Sequence, residues 1–292
     1  MTSGHANAVD LSGRIAVVTG ASRGAGRGIA RVLGEAGATV YVTGRSSRTG
    51  GNPTGRPGTI ETTAEEVTAR GGTGIPVRCD HTDDAQVTAL FERVRAERGR
   101  LDVLVCNAWG GYEREVLPTP LPELDLAHLD LMYSAGLRAY LLTLQRAAPL
   151  LTDTRGGLAV VTSWVVDAQR YTGNIYYDVL KTAVNRLGRG LAAELAPAGV
   201  TPVIVSPGWM NTEVMELPPE LAAKTESTEF VGRAVAALAA DPEVSRHAGA
   251  VRTVVELAAE YGFTDVDGSS TSPTWEHIAA TGGATDPDWF GA

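Results

Sequence analysis

The chain has 292 residues, 43% of them hydrophobic and 20% charged, with a formal net charge of −9. That is length enough for a full core, and the acidic balance argues against nucleic acid or an anionic membrane surface as the main partner. Two cysteines, Cys79 and Cys106, do not make a disulfide framework or a metal site. Residues 1–10 lack the apolar core of a signal peptide, and no apolar run approaches the ~18 residues of a membrane span, so a cytoplasmic protein is expected.

The chain opens with a buried-strand pattern at 14–19. It leads into a glycine turn, Thr19-Gly20-Ala21-Ser22-Arg23-Gly24-Ala25-Gly26, and then into helical apolar spacing from Gly28. Strand, glycine turn and helix together form a diphosphate cradle: the backbone can approach the ligand, and the helix N-terminus stabilises its charge. Further strands are read at 39–43, 75–79, 103–106, 158–162, 201–205 and 251–255. Helical patterns occupy 62–70, 84–98, 124–151 and 177–196. This alternation predicts an α/β fold. Its seven or so parallel strands form a doubly wound Rossmann sheet covered by helices on both faces, a three-layer αβα sandwich. One unit spans 1–292, with a core at about 11–257. Three segments break the rhythm: the Gly/Pro/Ser/Arg loop 46–58, the connection 208–229, and the polar tail 262–292 with Trp275 and Trp289. The tail reads equally as a loose terminus and as a cover for the site or a neighbouring subunit.

Tyr177 and Lys181 lie four residues apart, on one helical face. A cation beside a tyrosine lowers its pKa and readies the phenol for proton transfer, so the expectation here is an acidified Tyr177. Such a pair is ordinarily helix surface; the upstream glycine turn gives it meaning. After strand two the run Thr43-Gly44-Arg45-Ser46 holds no carboxylate for ribose hydroxyls. Arg45 and Arg23 instead put cations where a 2′-phosphate would sit, and Arg48 joins them if the loop folds back. This favours NADP(H) over NAD(H). Trp109, Trp164, Trp209, Tyr112 and Tyr171 follow strand ends or lie in adjacent loops, where aromatic walls would suit an apolar or aromatic carbonyl compound. The same rings also serve packing. His81 and His128 read as isolated surface groups.

Further motifs follow in order: Asn107-Ala108 after the fourth strand, Ser163 after the fifth, and Pro207-Gly208 with Thr212 after the sixth. With the glycine turn and the Tyr-Lys pair, this set resembles the short-chain dehydrogenase/reductase family (SDR) over roughly residues 11–257. The run 160–181, Thr39 to Arg45 and Tyr261 to Gly268 resemble its dehydrogenase/reductase family member 1 branch. The resemblance implies Tyr177 as general acid/base, Lys181 as the group that tunes it and holds the nicotinamide ribose, and Ser163 as the ligand of the substrate oxygen. It also implies cofactor contacts from Gly20, Ser22, Arg23, Gly24, Ala25, Gly26, Arg45, Asp80, Asn107, Lys181, Pro207, Gly208 and Thr212. A homodimer or homotetramer built on the helices 124–151 and 177–196 is implied too.

There are departures from the pattern. Ser163 stands one residue farther from Tyr177 than usual, which implies an insertion in 165–176. Tyr176 restores the spacing but is five residues from Lys181. The family's helical asparagine, which supports a proton-relay water, falls near Gly136. The Asn-Asn-Ala-Gly motif reads Cys106-Asn107-Ala108-Trp109-Gly110. A ketoreductase or alcohol dehydrogenase is the leading reading. A lyase or dehydratase without net redox, and a cofactor-binding regulator, remain open.

Overall fold

The computed structural model describes residues 9–53, 55–112, 119–164, 171, 173–213, 215 and 217–281. Trp289 and most of the segment 165–172, which carries part of the inferred insertion, lie outside the described residues.

Seven strands build one sheet in the order β3-β2-β1-β4-β5-β6-β7, and every neighbouring pair is parallel. In chain order the main elements are β1 (Ile15–Val18), α1 (Gly24–Glu35), β2 (Thr39–Gly44), α2 (Ile60–Ala69), β3 (Thr73–Arg78), α3 (Asp84–Arg98) and β4 (Val103–Cys106). There follow α4 (Leu126–Met132), a π-helical turn (Tyr133–Arg138), α5 (Ala139–Thr154), β5 (Leu158–Thr162), α6 (Ile175–Leu195) and β6 (Thr201–Ser206). The chain continues through α7 (Pro219–Ala222), α8 (Thr228–Ala240), β7 (Val251–Thr253), α9 (Val254–Tyr261) and α10 (Pro273–Ala280).

Strand alternation divides the core in two. Ala16, Val18, Val40, Val42, Val105, Val160 and Val203 point to the face covered by α1, α2, α8 and α9. Ile15, Val17, Tyr41, Leu104, Val161 and Ile204 point to the face covered by α3, α5 and α6. Because both faces are covered, the strands read as unbroken apolar runs rather than as alternating ones. The order changes direction between β1 and β4, which opens the crevice at their C-terminal ends where such sheets bind ligands.

Four expectations are corrected. The third strand begins at Thr73, earlier than expected, and carries Pro76, which this edge position tolerates. The helix expected over 124–151 is three pieces, α4, the π turn and α5. Gly110 N–H donates to the Ala135 carbonyl at 2.9 Å, drawing on a helical acceptor where the turn widens. The tail is ordered as far as it is described. Asp265 is buried and accepts from Ser227 N–H at 2.8 Å and from the Ser227 hydroxyl, fixing the segment after α9 to the start of α8. His81 and His128 are buried, not surface groups. His81 bridges the Thr43 and Thr143 hydroxyls at 2.8 and 3.1 Å, and burial pushes its pKa down to about 4; His128 Nε2 meets the Gly111 carbonyl at 2.8 Å. Cys79 and Cys106 are both free and buried.

Candidate active site

The glycine turn is braced from β4. Asn107 donates its Nδ2 to the Thr19 carbonyl at 3.0 Å, and its carboxamide oxygen accepts from the Thr162 hydroxyl at 3.3 Å. The Thr19 hydroxyl in turn accepts from the N–H groups of Asn107 and Ala108 at 2.8 and 2.9 Å. Gly20 has φ +65°, and a Cβ there would come within 2.7 Å of the Ala108 Cα, so this crossing admits only glycine. At Gly26 a Cβ would meet the Gly20 carbonyl at 2.5 Å. Ser22 is buried and Ala25 partly so.

Thr212 leans over this turn, its methyl 3.8 Å from where a Gly24 Cβ would lie. The next residue, Glu213, places its carboxylate at the N-terminus of α1: Oε2 accepts from Gly24 N–H at 2.8 Å, and Oε1 accepts from Arg27 at 3.0 Å. The sequence reading missed Glu213, whose partners lie about 190 positions away. The contact shows that the amide at the start of α1 holds an anion, the property a dinucleotide diphosphate requires.

Of the expected 2′-phosphate cations, Arg45 follows directly on β2. Arg23 is at the same edge, but its guanidinium organises the loop 46–58. It donates to the carbonyls of Pro57, Arg56 and Gly58 at 2.8, 3.1 and 3.1 Å and to the Ser46 hydroxyl at 2.9 Å. Arg48 does not join them: it is turned away and paired with Glu65 on α2. Asp80 stands past the end of β3, and its Oδ1 accepts from Thr82 N–H at 2.9 Å. Gly208, after Pro207, donates its N–H to Oε1 of the buried Glu226 at 2.8 Å.

Helix α6 is started by Asn174, whose side-chain oxygen accepts from Tyr177 N–H at 3.2 Å. The four-residue spacing then aligns Tyr177, Lys181 and Asn185 on one face. Lys181 is buried, its Nζ 5.4 Å from the Tyr177 ring centroid and 3.5 Å from the Trp109 ring centroid. The Tyr177 hydroxyl lies 3.1 Å from that of Tyr112, while the Tyr177 ring meets Trp109 edge-on at 6.2 Å. Asn185 donates to the Trp164 carbonyl at 3.1 Å, beside Ser163; its i+4 relation to Lys181 was a usable signal that the sequence reading passed over. Ser163 is buried at the end of β5, its hydroxyl directed to the Trp164 carbonyl at 3.4 Å.

The electrostatics overturn one expectation. The Tyr177 hydroxyl is raised well above its ordinary value, not lowered: burial dominates, with the neighbouring Tyr112 adding to it. Burial also brings Lys181 down to about 7. Desolvation here outweighs the pairing that spacing suggests.

The expected aromatic walls divide. Trp164 stacks on Trp275 of α10, with centroids 5.5 Å apart and planes 22° apart. The tail thereby reaches the residue next to Ser163. Trp209 is tied through its N–H to the Thr274 hydroxyl at 2.9 Å, Tyr171 is exposed, and Trp109 packs inside the catalytic face.

The family model of the short chain dehydrogenases matches residues 14–220. The chain belongs to the short-chain dehydrogenase/reductase family. It is 36% identical over 303 residues to human dehydrogenase/reductase SDR family member 1, covering 94% of this chain and 92% of that protein, and it falls in that branch of the family. It is 32% identical to the cis-4-hydroxycyclohexanecarboxylate dehydrogenase of Sinomonas cyclohexanicum, over 87% of this chain and 97% of that one. Among solved structures, a short-chain type dehydrogenase/reductase from Mycobacterium marinum superposes with a TM-score of 0.69 at 27% identity, covering 84% of this chain and 95% of that chain. Members of this family use a nicotinamide cofactor, and the braced glycine turn with its anion-holding amide fits one.

Two outcomes follow from this geometry. Glu213→Gln removes a negative charge from the diphosphate end of the cradle, so NADPH binding measured by fluorescence titration should tighten about threefold or more; unchanged or weaker binding contradicts this. Glu226 is pushed up to about 7 by burial, helped by Asp265 and opposed by Ser272 and the Gly208 N–H. A raised folded-state pKa favours the protonated form, so its stabilising effect is full below about pH 4.5 and is lost as pH rises through 7. Glu226→Gln should therefore melt close to the unmodified protein at pH 5 and several degrees above it at pH 8. Equal differences at both pH values contradict this.

Proposed function

We propose that the protein is an NADP(H)-dependent oxidoreductase that interconverts a carbonyl and an alcohol on an apolar or aromatic small molecule. The observation that carries this reading is the convergence of the half-buried Tyr177 and the buried Lys181 on one helical face, beside a glycine turn braced by Asn107. In the reducing direction Ser163 and Tyr177 donate hydrogen bonds to the substrate oxygen. The bound nicotinamide supplies the hydride, and charge grows on that oxygen. Tyr177, protonated at neutral pH like any tyrosine, then gives its proton to the alkoxide. Lys181 holds the ribose hydroxyls and faces the phenolate left behind. Oxidation runs the same groups in reverse.

Arg45, with Arg23 at the same edge, supports NADP(H) over NAD(H). Gly20, Ser22, Gly24, Ala25, Gly26, Asp80, Asn107, Pro207, Gly208 and Thr212 complete the cofactor contacts of a single nucleotide-binding unit. Trp164, Trp209 and Tyr171, with Trp275 added by the tail, line the substrate side. We read the protein as cytoplasmic; no helix among the described residues is long and apolar enough to cross a membrane.

Cofactor oxidation followed at 340 nm over a panel of cyclic and aromatic ketones tests the reading. NADPH should outperform NADH, with Arg45→Asp narrowing the gap by about one to two decades in affinity. Tyr177→Phe should lower kcat by about 10²–10⁴-fold with cofactor binding nearly intact, and Tyr176→Phe should be mild. An inactive Tyr176→Phe beside an active Tyr177→Phe contradicts the assignment. Leu141 on α5 and Val179 on α6 are 45% and 57% exposed large apolar residues on the two helices expected to pair across subunits. Light scattering at micromolar concentration should give a dimer or tetramer; a monomer contradicts this.

A further inference from the structure

We propose that Trp109 is a positioning residue: its indole face seats Lys181 against Tyr177 in place of the family's relay asparagine. The inference rests on the acid/base reading of Tyr177 and Lys181 given above. Lys181 is 4% exposed, and no carboxylate among the described residues forms an ion pair with it. What lies under its ammonium is the Trp109 ring, 3.5 Å from Nζ to the centroid. A desolvated cation over an indole face is held by the ring's quadrupole, most strongly over tryptophan among the aromatic side chains.

The ring is fixed on several sides. It meets Tyr177 edge-on and Tyr140 at 6.0 Å with planes 53° apart, and the adjacent Gly110 N–H is bonded to the π turn at Ala135. Another neighbour is Gly136, near which the relay asparagine would stand. A Cβ at Gly136 would come within 2.7 and 2.8 Å of two ring carbons of Trp109. An asparagine at 136 therefore cannot share this space with an indole placed as that of Trp109 is. The Trp109 Nε1 is buried and has no hydrogen-bond partner among the described residues. The position thus uses the face of the ring and not its N–H, and phenylalanine should replace it better than leucine.

The chain has two lysines, Lys181 and Lys224, so lysine labelled with ¹³C at Cε gives two resolvable signals. In the protein without cofactor, the Lys181 methylene protons should be displaced upfield by the ring, and Trp109→Leu should return them to the ordinary range. Trp109→Phe should keep most of the displacement. With NADPH and the best ketone of the panel, Trp109→Leu should lower kcat about tenfold or more, and Trp109→Phe less. Fluorinated tryptophan weakens the ring's quadrupole with little change of shape. It should lower kcat in the unmodified chain and leave Trp109→Phe unaffected, a readout that holds even if Trp109→Leu does not fold. A Lys181 signal in the ordinary range in the unmodified protein, or the same fluorine effect in both backgrounds, overturns the proposal. If Tyr177→Phe and Lys181→Met turn over normally, the acid/base reading itself falls. If those variants are inactive while fluorination leaves kcat unchanged, only the role of Trp109 falls.

Discussion

A single buried ammonium is the constraint around which the candidate site of this molecule is arranged. Lys181 is nearly inaccessible, lies on a helix whose neighbours are aromatic, and has its pKa brought down to about 7. Burying a cation without a carboxylate is costly, and the cost is tolerable only if the group can lose its proton or finds other electron density to face. The surroundings fit that demand. Asn174 starts α6 so that Tyr177, Lys181 and Asn185 align, the end of β4 delivers Trp109 beneath the ammonium, and the π turn with Gly136 makes room for the indole. The irregular helix between α4 and α5 thus shapes the surroundings of Lys181 rather than being a flaw in the helix.

A second, anionic system controls the opposite wall of the crevice. The connection after β6 carries Thr212 and Glu213 toward the start of α1, and it is anchored behind by Glu226 on the Gly208 N–H. Glu226 in turn sits beside Asp265 and Ser272, so the segment after α9 and the cofactor-side loop are fastened at one buried carboxyl. Through Trp275 on Trp164 and Thr274 on the Trp209 N–H, α10 closes over the same region. The described part of the tail therefore packs against the residue next to Ser163 and, on the proposed reading, borders the substrate.

The fold was largely legible because parallel strands covered on both faces must be continuously apolar. The strands β1, β2, β4, β5 and β6 all announce themselves this way. The edge strand β3 is half exposed and carries Pro76, so its start was misplaced. The helix break at 133–138 left only Gly136 as a trace, and Pro149, the stronger breaker, lies inside α5; the break coincides with a contact to Gly110 that sequence order does not reveal. Tyr177 and Lys181 were found because helical spacing is local. Their protonation was misjudged because spacing reports adjacency and says nothing of burial. His81, His128, Tyr112 and Glu213 were misread or given no such contact for a related reason: each takes its meaning from a partner on a distant segment.

The most direct test of this account is the titration of Lys181 in the cofactor-free protein, followed by the ¹³C shift of its Cε with Lys224 as an internal reference. The account predicts a midpoint near 7 for Lys181. A midpoint near the ordinary lysine value of about 10.4 would contradict it, because it would mean that the ammonium is hydrated or paired and that burial does not govern the site.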